Sequence, residues 1–291
     1  MKSRGANTDG LHFDGPSNDI TISNCDFTTG DDAIALNCPE GYSGNISRVA
    51  VTNCTFNSLS LMRLYTTPGG PGFNIDTVSI SNCSGTLWEL AFVVGLAGGS
   101  NPNSVASLTI SDCNLTAPSL VGVAENFGTI ALRNVTFIPS QSGQGAFLRS
   151  VPPNDTFVGS SLTFDNCSIR RNGNIGVAAS ILENNSRIEY LEFNGFGVQD
   201  NGVPIPVAEL LYLGQGSIGQ LVLQSLNSNN ILGPVSEGGF TSIGLVSGAG
   251  VLATGWEFPD AVMADGVPYI SASTGSPSIK INGAVQPYPL P

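Results

Sequence analysis

The chain has 291 residues, of which 41% are hydrophobic and only 11% are charged, which allows one or two globular domains and argues against a disordered chain. The net charge is −12 and no Lys or Arg cluster could neutralise several phosphates, so we expect no nucleic-acid partner. The 36 glycines, together with abundant Asn, Ser and Thr, favour short strands and tight turns over long amphipathic helices.

The first predicted element is a short strand within NTDGLHFDG, residues 7–15. Leu11 and Phe13 alternate with polar neighbours, so we expect both to be buried and His12 to point outward. An outward His12 is available near Asp9, although a lone histidine is more often a hydrogen-bonded surface residue than a catalyst. The preceding residues lack the apolar stretch of a secretory signal, and we expect a truncated N-terminus because no cap precedes this strand.

One strand pattern then recurs along the chain. Its copies are ITISNCDF from Ile20, VAVTNCTF from Val49, VSISNCSG from Val78, LTISDCNL from Leu108, IALRNVTF from Ile130 and LTFDNCSI from Leu162. Apolar and polar residues alternate in each copy, which is the period of a strand with one buried face.

The spacing of the copies predicts the fold. The equivalent positions Cys25, Cys54, Cys83, Cys113, Val135 and Cys167 are 29, 29, 30, 22 and 32 residues apart, which is too long for hairpins. A coil of three short strands and three turns fits these intervals, and successive coils then pair in parallel about 4.8 Å apart. We predict an all-β protein, a right-handed parallel β-helix forming a single solenoid.

The same repeat explains most of the cysteines and several asparagines. Five of the six cysteines share the position that Val135 also occupies, so unpaired core thiols are favoured over disulfides, and Cys38 alone is ambiguous. Asn24, Asn53, Asn82, Asn134 and Asn166 are predicted to form a structural column in the turns, although N-x-[ST] triplets can also accept glycans.

A second polar segment, TGDDAIALN at residues 29–37, contains the adjacent Asp31 and Asp32. Asp9 precedes Asp31 by 22 residues, equal to the shortest repeat interval, so the carboxylates can converge on one face from neighbouring coils. Adjacent residues of a flat strand face opposite sides, so a bend at Gly30 is needed for both carboxylates to face a cleft. The alternative interpretation of the pair is an Asx turn or a calcium ligand.

These two segments resemble the motifs of the polygalacturonase-like glycoside hydrolases, a family of the pectin-lyase-like parallel β-helices. NTDG followed one coil later by GDDAIA carries the resemblance, while the rest of the chain shows only the generic coil pattern. The resemblance implies Asp32 as general acid, Asp9 and Asp31 as the groups that orient water, and inversion. The family's Gly-His-Gly and Arg-x-Lys motifs are absent here.

The next coil reads SLSLMRLYT and places Ser60 and Arg63 where that family has its histidine. Arg63 can bind sugar hydroxyls or a uronate carboxylate, or it can lie across neighbouring coils as a surface residue. Tyr65 is a candidate for stacking on a sugar ring or covering a strand edge.

The following coil adds two candidates. Glu89 lies six residues after Cys83, as Asp31 lies six after Cys25, so both are predicted on one face, and Glu89 is a possible partner of Arg63. Trp88 has the same two interpretations as Tyr65. Asn7 of the first motif completes the predicted substrate-binding set, and Glu125 and Arg149 are weaker candidates on later coils.

Towards the C-terminus the pattern weakens. Copies continue in IEYLEF from Ile188, QLVLQSL from Gln220 and IGLV from Ile243, after which prolines recur. We therefore predict a parallel β-helix over residues 1–255 and a Pro-rich cap or tail over residues 256–291.

The functional prediction is a glycoside hydrolase that cleaves an extracellular polysaccharide through Asp9, Asp31 and Asp32, with no cofactor and no metal. Two alternatives stay open: a non-catalytic glycan-binding or spike-like β-helix, and a polysaccharide lyase with Arg63 as base. The predicted partner is a polysaccharide or oligosaccharide, for which a neutral glycan suits the acidic surface more easily than a densely anionic one. No membrane partner is expected, since no apolar run reaches the roughly 18 to 20 residues of a span. We expect a secreted or extracellular monomer or β-helical trimer.

Overall fold

The computed structural model describes residues 2, 5–38, 40, 42–66, 73–95, 105–140, 144–150, 156–171, 175–181, 186–200, 209–227, 231, 233, 235–236 and 242–289. Its strands stack in parallel from coil to coil, which confirms the predicted parallel β-helix. Within these residues, no helix is both long and apolar enough to cross a membrane.

The first sheet, sheet I, contains nine parallel strands, one from each successive coil. These strands are β1 (Leu11–Asp14), β4 (Asp32–Asn37), β7 (Ser60–Tyr65), β10 (Leu90–Val94), β13 (Ser119–Val123), β16 (Gln144–Ser150), β19 (Ile175–Ile181), β21 (Leu211–Leu213) and β23 (Val235–Ser236).

The second sheet, sheet II, contains fifteen strands in two columns. The first column is β2 (Ser17–Ser23), β5 (Ile46–Thr52), β8 (Ile75–Ser81), β11 (Val105–Ser111), β14 (Phe127–Arg133), β17 (Val158–Asp165), β20 (Arg187–Asp200), β22 (Ser217–Asn227) and β24 (Ile243–Ser247). The second column is β3 (Asp26–Thr28), β6 (Thr55–Ser58), β9 (Ser84–Leu87), β12 (Asn114–Ala117), β15 (Thr136–Pro139) and β18 (Ser168–Arg171). The long strand β20 pairs with both β17 and β18 and so joins the columns.

Register follows the repeat predicted from the sequence. The strand copies align in one ladder: Ile20, Val49, Val78, Leu108, Ile130, Leu162, Leu191, Leu221 and Val246. The alternate apolar residues of each strand fill the core, where aromatic rings also stack between coils. Phe27 lies over Phe56 with centroids 5.3 Å apart, and Phe164 lies over Phe193 at 5.0 Å.

The two predicted columns are present. All six cysteines are free and only Cys25 is partly exposed, so the prediction of unpaired core thiols is confirmed. The asparagine column adopts the left-handed backbone conformation, with φ from 51° to 54° at Asn24, Asn53, Asn82, Asn134 and Asn166, and Asp112 takes the same conformation in its coil. Asn and Asp tolerate this conformation better than other non-glycine residues, which explains their recurrence at one turn.

The C-terminal part forms a separate four-stranded sheet, sheet III. Its strands are β25 (Glu257–Phe258), β26 (Pro268–Ser271), β27 (Ser276–Ile281) and β28 (Ala284–Pro287), and two 3-10 helices cover Leu252–Thr254 and Asp260–Val262. Asp260 accepts hydrogen bonds from the hydroxyls of Tyr269, Ser271 and Ser273, which tie the segment together.

Candidate functional site

Asp9, Asp31 and Asp32 come together at the N-terminal end of sheet I. Asp9 precedes β1, and β1 pairs in parallel with β4, which begins at Asp32. The amide of Gly10 donates to the Asp32 carbonyl at 2.9 Å and fixes the two coils at this point. One carboxylate oxygen from each residue lies within 4.8 Å of the others, so the predicted convergence of the three side chains is confirmed.

Two glycines allow the backbones to approach closely here. A Cβ atom on Gly30 would lie 1.9 Å from the Gly5 carbonyl oxygen, and one on Gly10 would lie 2.4 Å from that of Ala33. No larger residue fits either position without moving the backbone. Residues 30 and 31 form a bend before β4 begins, as expected for adjacent aspartates that reach one cleft.

Asp32 is anchored by the next coil. Its side chain is only 5% exposed, and its Oδ2 accepts from Arg63 Nε at 2.6 Å. The Ser60 hydroxyl, its register partner, donates to Oδ1. Burial alone would lower the pKa of Arg63, but its ion pair with Asp32 and the nearby carboxylates raise it above its usual value. Asp32 is therefore held as a paired carboxylate.

Asp31 has a different environment. Burial raises the pKa of its carboxyl above the usual value, and the charges of Asp32 and Asp9 raise it further, while Arg63 opposes them. Like charges crowded together make ionisation of one member less favourable, and the carboxyl whose pKa is raised here is that of Asp31. The backbone at Asp31 is fixed because its carbonyl accepts from Thr29 Oγ1 at 2.8 Å and from the Leu59 amide at 3.2 Å.

Asp9 is bound by His12. The His12 Nδ1 lies 2.8 Å from Asp9 Oδ2, and the ring is 42% exposed, so the prediction of an outward histidine near Asp9 is confirmed. The other ring nitrogen, Nε2, lies 3.0 Å from Asn37 Nδ2 and 3.3 Å from Asp14 Oδ1. When Asn37 donates to Nε2, the proton of a neutral His12 is on Nδ1 and is donated to Asp9.

Asn7 and Tyr65 were also predicted to bind substrate. Asn7 is exposed in a left-handed turn just before Asp9, with φ of 56°. Tyr65 is partly exposed and pairs in register with Asn37. The structure therefore brings Ser60, Arg63 and His12 directly onto the carboxylates. Asn7 is two residues before Asp9 in the chain, and Tyr65 lies at the opposite end of β7 from Ser60, the register partner of Asp32.

Glu89 lies on the predicted face. The Leu59 amide donates to the Asp31 carbonyl, and the Glu89 amide donates to the Leu59 carbonyl at 3.0 Å. Asp31, Leu59 and Glu89 therefore stack on one another in three successive coils. Glu89 and its neighbour Trp88 are both exposed, with Trp88 49% accessible. The cation of Arg63 is paired with Asp32, which the sequence did not predict.

Several residues near the site were not predicted from the sequence. Asn37 is fully buried and is the register partner of Asp14. Its side-chain amide donates to the Glu40 carboxylate and also lies beside the His12 ring. Glu125, by contrast, was a weaker candidate from the sequence; it is buried further along the solenoid and accepts from the Thr66 hydroxyl. Polar residues at the ends of apolar strands were the available signal, because Asn37 and Asp14 both end their strands.

The three carboxylates also form a group that could hold a cation. Both oxygens of Asp32 already accept hydrogen bonds from Ser60 and Arg63, and an Arg at 2.6 Å repels a second positive charge. Calcium requires about six to eight oxygen ligands, more than this cluster supplies. The donor set therefore suits proton transfer better than calcium coordination.

No family model, no curated protein and no solved structure matches the chain. The parallel β-solenoid is consistent with the pectin-lyase-like superfamily and is compatible with proteins that act on polysaccharides.

Proposed function

We propose that the protein is a glycoside hydrolase acting on an extracellular polysaccharide or oligosaccharide. The observation that carries the proposal is the cluster of Asp9, Asp31 and Asp32, in which one carboxyl has a raised pKa beside two other carboxylates. Glycoside hydrolysis needs one carboxyl group that gives a proton to the leaving oxygen and a second that activates water or attacks the sugar. Carboxyl groups with separated pKa values meet both needs.

Asp31 is the proposed general acid, which differs from the role that the family resemblance implies. Its raised pKa keeps a proton for the glycosidic oxygen, whereas Asp32 is buried and bound by Arg63 and Ser60. Asp32 acts as the fixed negative charge that helps Asp31 retain its proton. After the bond breaks, Asp31 is ionised and Asp9 carries the proton taken from the attacking water. Exchange with solvent then returns a proton to Asp31 and removes one from Asp9, which restores both carboxyl groups.

Asp9 is the proposed base. A single water can bridge two carboxylate oxygens that lie within 4.8 Å, because each hydrogen bond is about 2.7 Å long. His12 fixes the Asp9 carboxylate through its 2.8 Å contact and so orients this water. The chemistry needs only these side chains and water, so the proposal includes neither cofactor nor metal.

The geometry argues against the lyase alternative. A lyase base must accept the proton beside a uronate carboxylate, but Arg63 is held in its charged form by Asp32 at 2.6 Å. A glycan-binding or spike-like protein without activity remains the rival, and it predicts no product. Secretion and a monomeric or β-helical trimeric state belong to the same proposal.

The test is digestion of a panel of neutral and acidic polysaccharides, followed by reducing-end release and mass analysis. Wild-type protein should release saturated oligosaccharides from at least one glycan. Asp31→Asn should lower the rate by at least about 100-fold, the size of a general-acid contribution. The control Asp76→Asn, which removes an exposed carboxylate on β8, should not change the rate.

Other results of the digestion would contradict part or all of the proposed function. Unsaturated products absorbing in the ultraviolet would show a lyase. Full activity in Asp31→Asn would refute Asp31 as the general acid. If activity is lost in Asp32→Asn and kept in Asp31→Asn, Asp32 is the general acid. Absence of any product from the whole panel would refute the hydrolase and favour the binding protein.

A further inference from the structure

Arg149 lies on the outer face of sheet I, well beyond the carboxylate cluster. In β16 it is flanked by Leu148 and Ser150, which are both buried. Leu148 pairs with Val121 of the core, so the side chain of Arg149 points to the opposite, outer face.

Register places Arg149 in the same outer column as His12 and Arg63. The column runs through His12, Ala35, Arg63, Val93, Gly122, Arg149, Ser180 and Tyr212. Four strand spacings of about 4.8 Å separate β16 from β4, which carries Asp32, so Arg149 lies about 19 Å along the helix axis from the cluster. A glycan bound along this face would reach both places.

The hydrogen bonding of Arg149 is incomplete. Its Nε is buried, and among the described residues it has no hydrogen-bond partner. Four of the other described arginines are paired with carboxylates: Arg48 with Asp19, Arg63 with Asp32, Arg133 with Asp165 and Arg187 with Glu189. With 22 acidic against 10 basic residues, acids are plentiful in this chain. A buried donor left without a partner requires an explanation, and a ligand is one.

The surroundings of Arg149 in the column suit an anion. Its register neighbours are Gly122, which has no side chain, and Ser180, whose hydroxyl is a second donor about one strand spacing away. No member of the column is acidic. The nearest other cation in the column, Arg63, is already paired with Asp32.

We propose that Arg149 is an anion-binding subsite that holds the carboxylate or sulfate group of an acidic sugar unit. Its guanidinium offers paired donors in the planar geometry that such groups accept. This inference rests on the proposed action on glycans and specifies the substrate: a largely neutral polymer at the carboxylate cluster, with an acidic unit several coils away. The net charge of −12 makes a polymer with a charge on every sugar a poor match.

The experiment measures binding instead of turnover. Size-matched neutral, uronate-containing and sulfated oligosaccharides are titrated calorimetrically into Asp31→Asn protein, alone and combined with Arg149→Gln, Arg149→Lys or Arg170→Gln. Arg170 is exposed on β18 of sheet II and serves as the matched control for loss of one positive charge.

We expect an acidic oligosaccharide to bind more tightly than its neutral counterpart. Arg149→Gln should weaken acidic binding by about tenfold or more and leave neutral binding unchanged, the size expected for a charge-assisted contact. Arg149→Lys should restore part of the affinity, and Arg170→Gln should have no effect. The uronate and sulfate arms identify which anion is preferred.

Equal binding of acidic ligands with and without Arg149→Gln would overturn the subsite, as would an Asp31→Asn protein that does not distinguish acidic from neutral glycans. If the Arg149→Gln protein does not fold, the affinity of the Asp31→Asn protein is measured at several salt concentrations. Its affinity for acidic ligands must then fall more steeply with salt than its affinity for neutral ones, and equal slopes would overturn the subsite. Hydrolysis of neutral glycans without acidic preference would refute the subsite alone. Arg149-dependent binding without any hydrolysis would refute the proposed enzyme alone.

Discussion

Replacing Arg63 with Met removes the cation that faces Asp32 and leaves a side chain of similar length. Asp32 is 5% exposed and Arg63 22%, and their atoms Oδ2 and Nε are 2.6 Å apart. Breaking a buried pair by removing one partner costs about 3 to 5 kcal/mol, because the remaining charge is not compensated. Arg63 is partly exposed and Ser60 still donates to Asp32, so we expect the lower end, about 3 kcal/mol.

The matched control is Arg48→Met. Arg48 pairs with Asp19 in much the same geometry, with Nε and Oδ1 2.6 Å apart, but these side chains are 57% and 69% exposed. An exposed pair contributes much less than a buried one, because water and salt screen its charges, so we expect Arg48→Met to destabilise the protein clearly less than Arg63→Met. The free energy of unfolding is measured at pH 7 by denaturant titration of wild type and both variants.

The double variant Arg63→Met with Asp32→Asn tests the cause. It should be more stable than Arg63→Met alone, because the buried charge is gone. If Arg63→Met and Arg48→Met destabilise the protein equally, or if Asp32→Asn brings no recovery, the proposed burial of a charged Asp32 is wrong.

The same contacts lead us to expect defined effects in four other variants. Asp31→Asn should raise the melting temperature at pH 7 but not at pH 3. Because the pKa of Asp31 is raised in the folded state, its ionisation lowers the stability of the wild type as the pH rises above 3.8, and Asn cannot ionise. A wild type that melts at a higher temperature than Asp31→Asn at pH 7 would contradict this. His12→Gln should lower kcat on the best glycan more than it changes KM, because His12 orients Asp9. Unchanged kinetics would show that His12 has no role in the reaction. Gly30→Ala should destabilise by about 1 to 3 kcal/mol in denaturant titration, since its Cβ would meet the Gly5 carbonyl at 1.9 Å. Cys113→Val should change the free energy of unfolding by less than about 1.5 kcal/mol, since Val135 fills the same position in the next coil.

The sequence was informative wherever the coil repeat applied. Alternation and spacing predicted the ladder from Ile20 to Val246, and the 22-residue separation predicted that Asp9 would meet Asp31. Both predictions depend on one physical fact, that parallel coils put equivalent positions next to each other. The outward orientation of His12 followed from the two-residue period of a strand.

The partners of individual side chains could not be predicted in this way. Arg63 had several acidic residues within reach, and only three-dimensional packing pairs it with Asp32 instead of Glu89. That pairing decides which aspartate is anchored and which has a raised pKa, so the roles of Asp31 and Asp32 are not determined by the repeat. Asn37 was missed because a buried polar residue at a strand end resembles an ordinary turn residue in sequence.

The proposed role of Asp31 as general acid requires it to keep its proton at a pH where ordinary aspartates have lost theirs. Carboxyl-labelled NMR measures this directly: the Asp31 signal is followed across a pH titration in wild type and in Asp9→Asn. We expect the pKa of Asp31 to lie above the ordinary 3.8 in the wild type, and to be lower in Asp9→Asn, where one neighbouring charge is absent. An Asp31 that titrates at or below 3.8 in the wild type would contradict it.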